Sequence, residues 1–309
     1  MYSPALFFFN TEAFLESRPH PDYKVICSPA GYDARAVLVL YIFNNEGHSP
    51  WHAGFGGIEC SPDTRPEDWL NIITELNGIA QTHELSSISI TCPPDCYQWH
   101  NPEINAALEN AGYELLHTDI NFHLSLDAEG LPFNDGIVKP GLISKLSPDH
   151  HRRYRRMIEE GFSFEVIPEH QLNTKEAYSL IAATRNRKGY YMGQTEAEFA
   201  DMVYSLPGVY TGFKVLHKGQ TVALGIGLAT APDVYYAFYN ADLAEYKHRS
   251  PMIMLYMGMA EYAAQHNFRL LDLGTASLHG LINTGVERFK RNLGGQISGK
   301  STFLKKFRN

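Results

Sequence analysis

The sequence predicts an α+β protein built from one structural unit that occurs twice. Residues 69–112 align with residues 251–294 without a gap, at a constant offset of 182. In both stretches a mostly apolar helix is followed by a short apolar strand and a second helix that ends at a glycine. Self-similarity at a fixed spacing indicates a duplicated unit. Because 309 residues suffice for two cores, we expect domains at 1–140 and 141–309, each with a mixed central sheet.

Residue patterns predict the elements of the first copy in order. A short helix begins near Thr11 and ends before Pro19 and Pro21. Apolar residues three and four apart predict the longer helices, and short β-rich runs predict the strands. The further elements are a strand over 36–43, a turn over 44–47, a helix from Trp69, a strand over 87–91, a helix that opens at Asn101 and closes at Gly112, and a closing strand over 113–126.

A Gly- and Pro-containing stretch over 127–141 is the expected linker to the second copy. Ser147 and Pro148 then begin a helix, and Thr195 with Glu198 forms a capping box for another. The remaining predicted elements are strands over 211–216, 221–229 and 234–239, an apolar and therefore buried helix over 252–264, a strand over 270–273 and a final strand over 299–304.

Composition limits the classes of protein to consider. Hydrophobic residues make up 44% of the chain, yet no apolar run approaches the roughly 18–20 residues of a membrane span. The four cysteines, without an export signal, indicate free thiols in a reducing cytoplasm. Residues 1–140 carry 5 Lys and Arg against 19 Asp and Glu, whereas residues 141–309 carry 21 against 15. This asymmetry would steer an anionic ligand to the second half, or it reflects ordinary surface variation.

Two positions differ between the copies in a way that indicates chemistry. Ile90 of the first copy corresponds to Asp272, and Leu108 corresponds to Lys290. Lys290 lies in the apolar stripe of its helix, so its ammonium would be partly desolvated and able to stabilise developing negative charge. Asp272 could orient Lys290 or accept a proton from an attacking amine. The alternatives are a lysine that extends to water and a carboxylate with a purely structural partner.

Several short motifs, taken in their order along the chain, resemble a known family. They are Phe55-Gly56-Gly57-Ile58-Glu59, Pro93-Pro94-Asp95-Cys96-Tyr97, Arg152-Arg153-Tyr154-Arg155-Arg156, Thr184-Arg185-Asn186-Arg187-Lys188-Gly189, Leu271-Asp272-Leu273-Gly274, Arg288-Phe289-Lys290 and Gly294-Gly295. With the predicted element order, they resemble the Fem-type peptidyltransferases of bacterial cell-wall synthesis, which consist of two tandem GNAT-like acyltransferase domains.

The resemblance implies acyl transfer to an amine, with an aminoacyl-tRNA or an acyl-CoA as donor and co-substrate. It implies that the second unit holds the donor channel, that the acceptor binds between the domains, and that Phe289 and Lys290 belong to the site. The stretch 246–252 stands where GNAT enzymes have a glycine-containing pyrophosphate loop, and here it contains no glycine. Because Ser250 begins a helix behind basic residues, Lys247, Arg249 and Ser250 are the candidate donor contacts.

Further candidates would contact the acceptor or a polyanion. Arg187 and Lys188 fall where the resemblance places contacts to an acceptor phosphate, although cations also favour a helix C-terminus for electrostatic reasons. Tyr236 and Phe238 would share one face of a strand and line a channel, with Tyr235 and Tyr239 opposite, or they are ordinary core aromatics. The arginines at 152–156 could bind tRNA phosphates or form a solvated helix with neighbouring glutamates.

Other chemistries fit the sequence poorly. Cys92, Cys96 and His100 lack the second ligand pair of a typical zinc site, so no metal is expected. The segment 294–301 resembles a phosphate-binding loop but follows a helix rather than a strand. The sequence thus favours an acyltransferase whose acceptor is a small-molecule or cell-wall precursor amine and whose donor is an aminoacyl-tRNA or an acyl-CoA, with no role for DNA. The alternatives are a non-catalytic ligand-binding protein on the duplicated scaffold and an acyl-CoA-dependent N-acetyltransferase.

Overall fold

The computed structural model describes residues 7–17, 20–31, 33–126, 140–187, 189 and 192–307. They form two compact units. Unit 1 comprises the described residues of Met1–Asn121, Thr275–Asn283 and Ile297–Asn309, and unit 2 comprises those of Phe122–Gly274 and Thr284–Gln296.

Unit 1 contains a mixed sheet with helices beside it. Its elements are a 3-10 helix (Phe8–Asn10), α1 (Glu12–Glu16), β1 (Tyr23–Ser28), β2 (Ala36–Phe43), β3 (Glu46–Ser49), β4 (Glu59–Cys60), α2 (Pro66–Thr82), β5 (Ser87–Thr91), α3 (Asn101–Asn110), the first part of β6 (Glu114–Ser125), the hairpin β12 (Ser277–Leu278) and β13 (Leu281–Ile282), and β14 (Gln296–Lys306). The antiparallel strands β1, β2 and β3 are followed by β5, which is parallel to β3, and by β14, antiparallel to β5.

Unit 2 repeats this arrangement. Its elements are α4 (Pro140–Ile143), α5 (Pro148–Glu159), β7 (Phe162–Ile167), α6 (Thr174–Arg187), α7 (Glu196–Tyr204), β8 (Thr211–His217), β9 (Gln220–Ala231), β10 (Val234–Asp242), α8 (Pro251–Gln265), β11 (Leu270–Thr275) and α9 (Thr284–Asn292), with 3-10 turns at Glu169–Gln171 and Ala244–Arg249. Strands β7 to β10 are antiparallel, β11 is parallel to β10, and β6 follows β11 in the sheet order.

The predicted duplication is confirmed by the element bounds. Shifted by 182 residues, α2, β5 and α3 would fall at 248–264, 269–273 and 283–292, and α8, β11 and α9 begin within three residues and end within two of those bounds. The predicted strands over 36–43 and 87–91 match β2 and β5. The capping box of Thr195 and Glu198 is present, with hydrogen bonds in both directions between backbone amides and side chains.

The compact units differ from the predicted consecutive domains 1–140 and 141–309. The strand beside β5 is β14, from the end of the chain, and the strand beside β11 contains residues 122–125 from its first half. The final strand was predicted, but nothing in one sequence shows that it pairs with the earlier copy. The boundary at residue 140 remains a prediction about the repeats, and the expected linker lies mostly outside the described residues.

Candidate functional site

The two positions at which the copies differ lie in matching places of the two units. In unit 1, Ile90 on β5 and Leu108 on α3 are fully buried members of one apolar core cluster. In unit 2, Asp272 on β11 is 3% exposed and Lys290 on α9 is 5% exposed. The predicted burial of Lys290 is therefore confirmed, and its side chain does not extend to water. Burying two ionisable groups is costly unless polar partners compensate them.

Gly274 supplies those partners through its own peptide groups. Its carbonyl accepts a hydrogen bond from Lys290 Nζ at 2.9 Å, and its amide donates to Asp272 Oδ1 at 2.8 Å. Gly274 has a φ of +76°, in the left-handed region that glycine reaches without steric cost. We refer to Asp272, Gly274 and Lys290 as the charged cluster. The sequence pointed to both charged residues but gave no role to the glycine between them.

Tyr236 completes one side of the charged cluster. In the parallel pairing of β10 with β11, Tyr236 lies level with Asp272. A methyl group placed on Gly274 would lie 3.3 Å from the Tyr236 hydroxyl and 3.8 Å from Lys290 Nζ, so these groups converge on one point. Burial, and then the negative charge of Asp272, raises the pKa of the Tyr236 phenol. The phenol is consequently a neutral hydrogen-bond donor at physiological pH.

Two further residues near Asp272 were not identified from the sequence. Burial and the charges of Asp242 and Asp272 raise the pKa of Tyr256 on α8. Burial lowers the pKa of His123 on β6, which the charge of Asp272 partly opposes. The Tyr256 ring also packs 5.9 Å from that of Phe289, and Phe289 lies 5.3 Å from the His150 ring. These contacts join elements far apart in the chain, so no local pattern could reveal them.

A bulge in β10 rearranges the predicted aromatic faces. Between the pairs Tyr236–Leu228 and Tyr239–Ile226, the two residues Ala237 and Phe238 stand opposite the single residue Gly227 of β9. Tyr236 and Phe238 are neighbours as predicted, with ring centroids 5.7 Å apart. The prediction that Tyr239 shares a face with Tyr235 is wrong, because the extra residue reverses the alternation. Tyr235 contacts Tyr262 of α8, whereas Tyr239 contacts Phe199 of α7.

Arg187 contacts Asp242, the last residue of β10. Its guanidinium forms an ion pair with Asp242 and also donates to the Asp242 carbonyl at 3.3 Å. Thr184 Oγ1 donates to the same carbonyl, so the end of α6 is fastened to β10. A contact between Arg187 and an acceptor remains a prediction. Lys188 lies outside the described residues.

The candidate donor contacts lie where α8 begins. Ser250, the residue before the helix, has a φ of +59°, the left-handed conformation that a glycine would favour. Arg153 of α5 donates to Ser250 Oγ at 3.3 Å, and Arg249 pairs with Glu160 at 2.6 Å. Lys247 is exposed. The structure therefore brings together the two basic segments at 152–156 and 247–250, which lie far apart in the chain.

Glycines 225 and 227 of β9 provide close approach for the protein's own side chains. A methyl group at Gly227 would lie 2.5 Å from the Tyr235 ring, and one at Gly225 would lie 3.0 Å from Asn240 Oδ1.

Over the part of the chain that the structure describes, no three His, Cys, Asp or Glu residues are grouped so as to hold a metal ion. Over the same part, no helix is long and apolar enough to cross a membrane.

Comparison with known proteins agrees with this architecture. Residues 149–291 match the model of a family described as an acetyltransferase (GNAT) domain. The structure of FemX is similar with a TM-score of 0.71 and 13% identity, covering 97% of this chain and 92% of FemX. No curated protein matches the sequence.

Lysylphosphatidylglycerol synthetases also share the fold. For the C-terminal domain of a putative such synthetase from Agrobacterium fabrum the TM-score is 0.59 and the identity 12%. For L-PGS from Bacillus licheniformis the values are 0.57 and 14%, and each comparison covers 93% of this chain and 85% of the other. The protein thus has the GNAT acyltransferase type of fold, and the predicted resemblance to Fem-type proteins is confirmed at the level of the fold.

Proposed function

We propose that the protein is an acyltransferase that forms an amide bond between an activated acyl or aminoacyl group and an amine. The charged cluster is the observation that carries this proposal. The positions of the other repeat that match Asp272, Gly274 and Lys290 hold Ile90, Cys92 and Leu108, all buried. Burying charged groups costs stability even where they are hydrogen-bonded, so a charged site in only one of two repeats indicates chemistry there.

The proposed reaction is direct attack of the amine on an ester or thioester, without a covalent enzyme intermediate. The ammonium of Lys290 stabilises the oxyanion that forms at the attacked carbonyl. Asp272 accepts the proton that the amine nitrogen loses as the new bond forms. The neutral phenol of Tyr236 is positioned to donate a hydrogen bond near the same point. Tyr236, Phe238 and Phe289 contribute the aromatic surface against which the substrate lies.

The donor is an aminoacyl-tRNA or an acyl-CoA, used as a co-substrate. Lys247, Arg249 and Ser250 at the start of α8 contact its phosphates, because a helix N-terminus and basic side chains both favour anions. The similarity in fold to lysylphosphatidylglycerol synthetases, whose name refers to a lysyl group, supports an aminoacyl donor for this protein. The acceptor is an amine such as a phosphate-bearing cell-wall precursor, contacted by Arg187 and Lys188. We place the reaction in the cytoplasm, where the four free cysteines would stay reduced.

The test compares Lys290→Ala with the wild type on a panel of acyl-CoA and aminoacyl-tRNA donors with amine acceptors. Loss of a group that stabilises the oxyanion is expected to lower turnover by about 100-fold or more. Lys305→Ala is the matched control, because Lys305 Nζ also donates to a backbone carbonyl, that of Ala111, at 2.7 Å in unit 1. Equal activity of the wild type and a folded Lys290→Ala variant would remove Lys290 from the mechanism.

A second candidate is a binding protein that no longer carries out transfer. The loop before α8 favours it, since the loop contains no glycine and Arg249 is already paired with Glu160. Such a protein would show a ligand-induced rise in melting temperature without turnover, in the wild type and in Lys290→Ala alike. If CoA alone raises the melting temperature, the donor is an acyl-CoA and the protein is an N-acyltransferase of the ordinary GNAT type.

A further inference from the structure

His123 lies on the strand beside the one that carries Asp272. The amide of Leu126 donates to the carbonyl of Arg269 at 2.8 Å, next to the start of β11. A second bond, from the amide of Ala276 to the carbonyl of Ile120, shows that the two strands run in opposite directions. From the first bond, three residues back from Leu126 is His123, and three residues forward from Arg269 is Asp272. In antiparallel strands these two residues are therefore level with each other. Counting from the second bond places His123 within one residue of that position.

The surroundings of His123 are unusual for a core residue. The side chain is 8% exposed, and its Nδ1 is buried without a hydrogen-bond partner among the described residues. Burial lowers the pKa of the ring, and the charge of Asp272 and then the Gln296 side chain oppose this change. Buried ring nitrogens in proteins are nearly always hydrogen-bonded, so an unpartnered one beside a charged cluster indicates a role beyond packing.

We infer that His123 is a positioning residue of the acyl-transfer site, acting through Asp272. The inference rests on the proposed function. During transfer, the amine nitrogen bonds to the acyl carbon and the bond from that carbon to the donor oxygen or sulfur breaks. The nitrogen gives up one proton, which Asp272 accepts and the departing oxygen or sulfur finally receives. A neutral His123 leaves Asp272 basic enough for this step, whereas an imidazolium beside it would weaken the carboxylate as a proton acceptor.

The charged groups near His123 influence the pH at which its ring is protonated. Asp272 favours the imidazolium, and Arg269 opposes it. Arg269 forms an ion pair with Asp233, with Nε 2.7 Å from Oδ2. Because burial lowers the pKa of His123, the ring is neutral at pH 7 and gains its proton only in more acidic solution. Transfer activity should therefore decline on the acid side as His123 is protonated.

The first test needs no activity. The ring signals of His123, identified by their disappearance in His123→Gln, are titrated by NMR in the wild type and in Asp272→Asn. Loss of the Asp272 charge should lower the titration midpoint of His123 by about half a pH unit or more. The midpoint of His150, whose Nδ1 is also buried without a partner, should stay within error. An unchanged His123 midpoint overturns the inference, whatever the turnover.

The second test separates positioning from structural support. With the donor found active, His123→Gln should keep kcat/KM near the wild-type value at pH 7 and remove the acid-side decline. The control is His100→Gln in unit 1, whose ring nitrogen is also buried without a partner and which should keep the wild-type profile. A His123→Gln profile that matches the wild type overturns the inference. If the wild type transfers no acyl group from any donor, the proposed function fails and the inference fails with it, even though the NMR coupling would then stand as a structural fact.

Discussion

Gly274 is the residue on which the charged cluster depends, although it carries no side chain. Its carbonyl and amide serve Lys290 and Asp272, and its left-handed conformation turns both groups toward them. Each buried charge thereby gains a fixed dipole as a partner. The other repeat has Cys92 at this position, and its φ is not positive, so the left-handed conformation occurs only in the copy with the charged pair.

We predict that Gly274→Ala destabilises the protein by about 1–2 kcal/mol, the cost of a left-handed conformation at an ordinary residue. The added methyl group would also contact the Tyr236 hydroxyl at 3.3 Å. Chemical denaturation measures the change. The matched control is Gly78→Ala, at an exposed position within α2 where a methyl group meets nothing within 4 Å. That change should instead stabilise the protein by about 0.5–1 kcal/mol. Equal effects of the two substitutions would contradict the argument.

Residue patterns predicted the buried charged residues but not all of the side chains around them. The 182-residue offset and the apolar stripe of α9 predicted that Lys290 and Asp272 are buried, and they are. A role for Tyr236 was predicted only from a strand pattern, and it remains a prediction. His123 and Tyr256 were missed because they approach Asp272 through strand pairing and helix packing, which depend on contacts distant in sequence.

At the scale of elements, the chain enters α8 through a loop that contains no glycine. The chain turns through a left-handed residue into the helix, yet that residue is Ser250. A serine in this conformation is strained, and its side chain makes no capping bond to the helix. The hydroxyl instead accepts from Arg153, which links α5 to the loop.

Ser250→Gly should raise stability by about 1–2 kcal/mol, because glycine adopts the left-handed conformation without the clash of a Cβ atom. The lost contact with Arg153 is exposed and contributes little. Thermal unfolding provides the measurement, and Ser250→Ala provides the control, since it removes the hydroxyl but keeps the strain. If Ser250→Gly were no more stable than Ser250→Ala, the backbone would not be strained at this position.

At the scale of the whole molecule, one repeat holds an apolar pair where the other holds charges. Ile90 and Leu108 pack in the core of unit 1, and Asp272 with Lys290 occupies the matching places of unit 2. Replacing buried ionic groups by apolar residues of similar volume is often stabilising by about 1–4 kcal/mol. The protein therefore gives up stability at the charged cluster in unit 2.

We predict that the double variant Asp272→Ile with Lys290→Leu is more stable than the wild type by about 1–4 kcal/mol and transfers no acyl group. The two single variants complete a double-mutant cycle, which shows whether the residues act together. The reciprocal change, Ile90→Asp with Leu108→Lys, should unfold unit 1, since Cys92 cannot take the role of Gly274. A destabilised but active Asp272→Ile and Lys290→Leu variant would refute the assignment of the charged cluster to catalysis.

The sequence by itself determined the duplication, the fold class, most helices and strands, and the two substituted positions. Each of these follows from local periodicity or from comparing one part of the chain with another. Only the tertiary structure decided which strands are neighbours, that β14 lies beside β5, and that a bulge turns Tyr239 away from Tyr235. It also decided that Gly274 joins Asp272 to Lys290 and that His123 lies beside them. Such contacts depend on strand order and register, and residues far apart in the chain create them only when it folds.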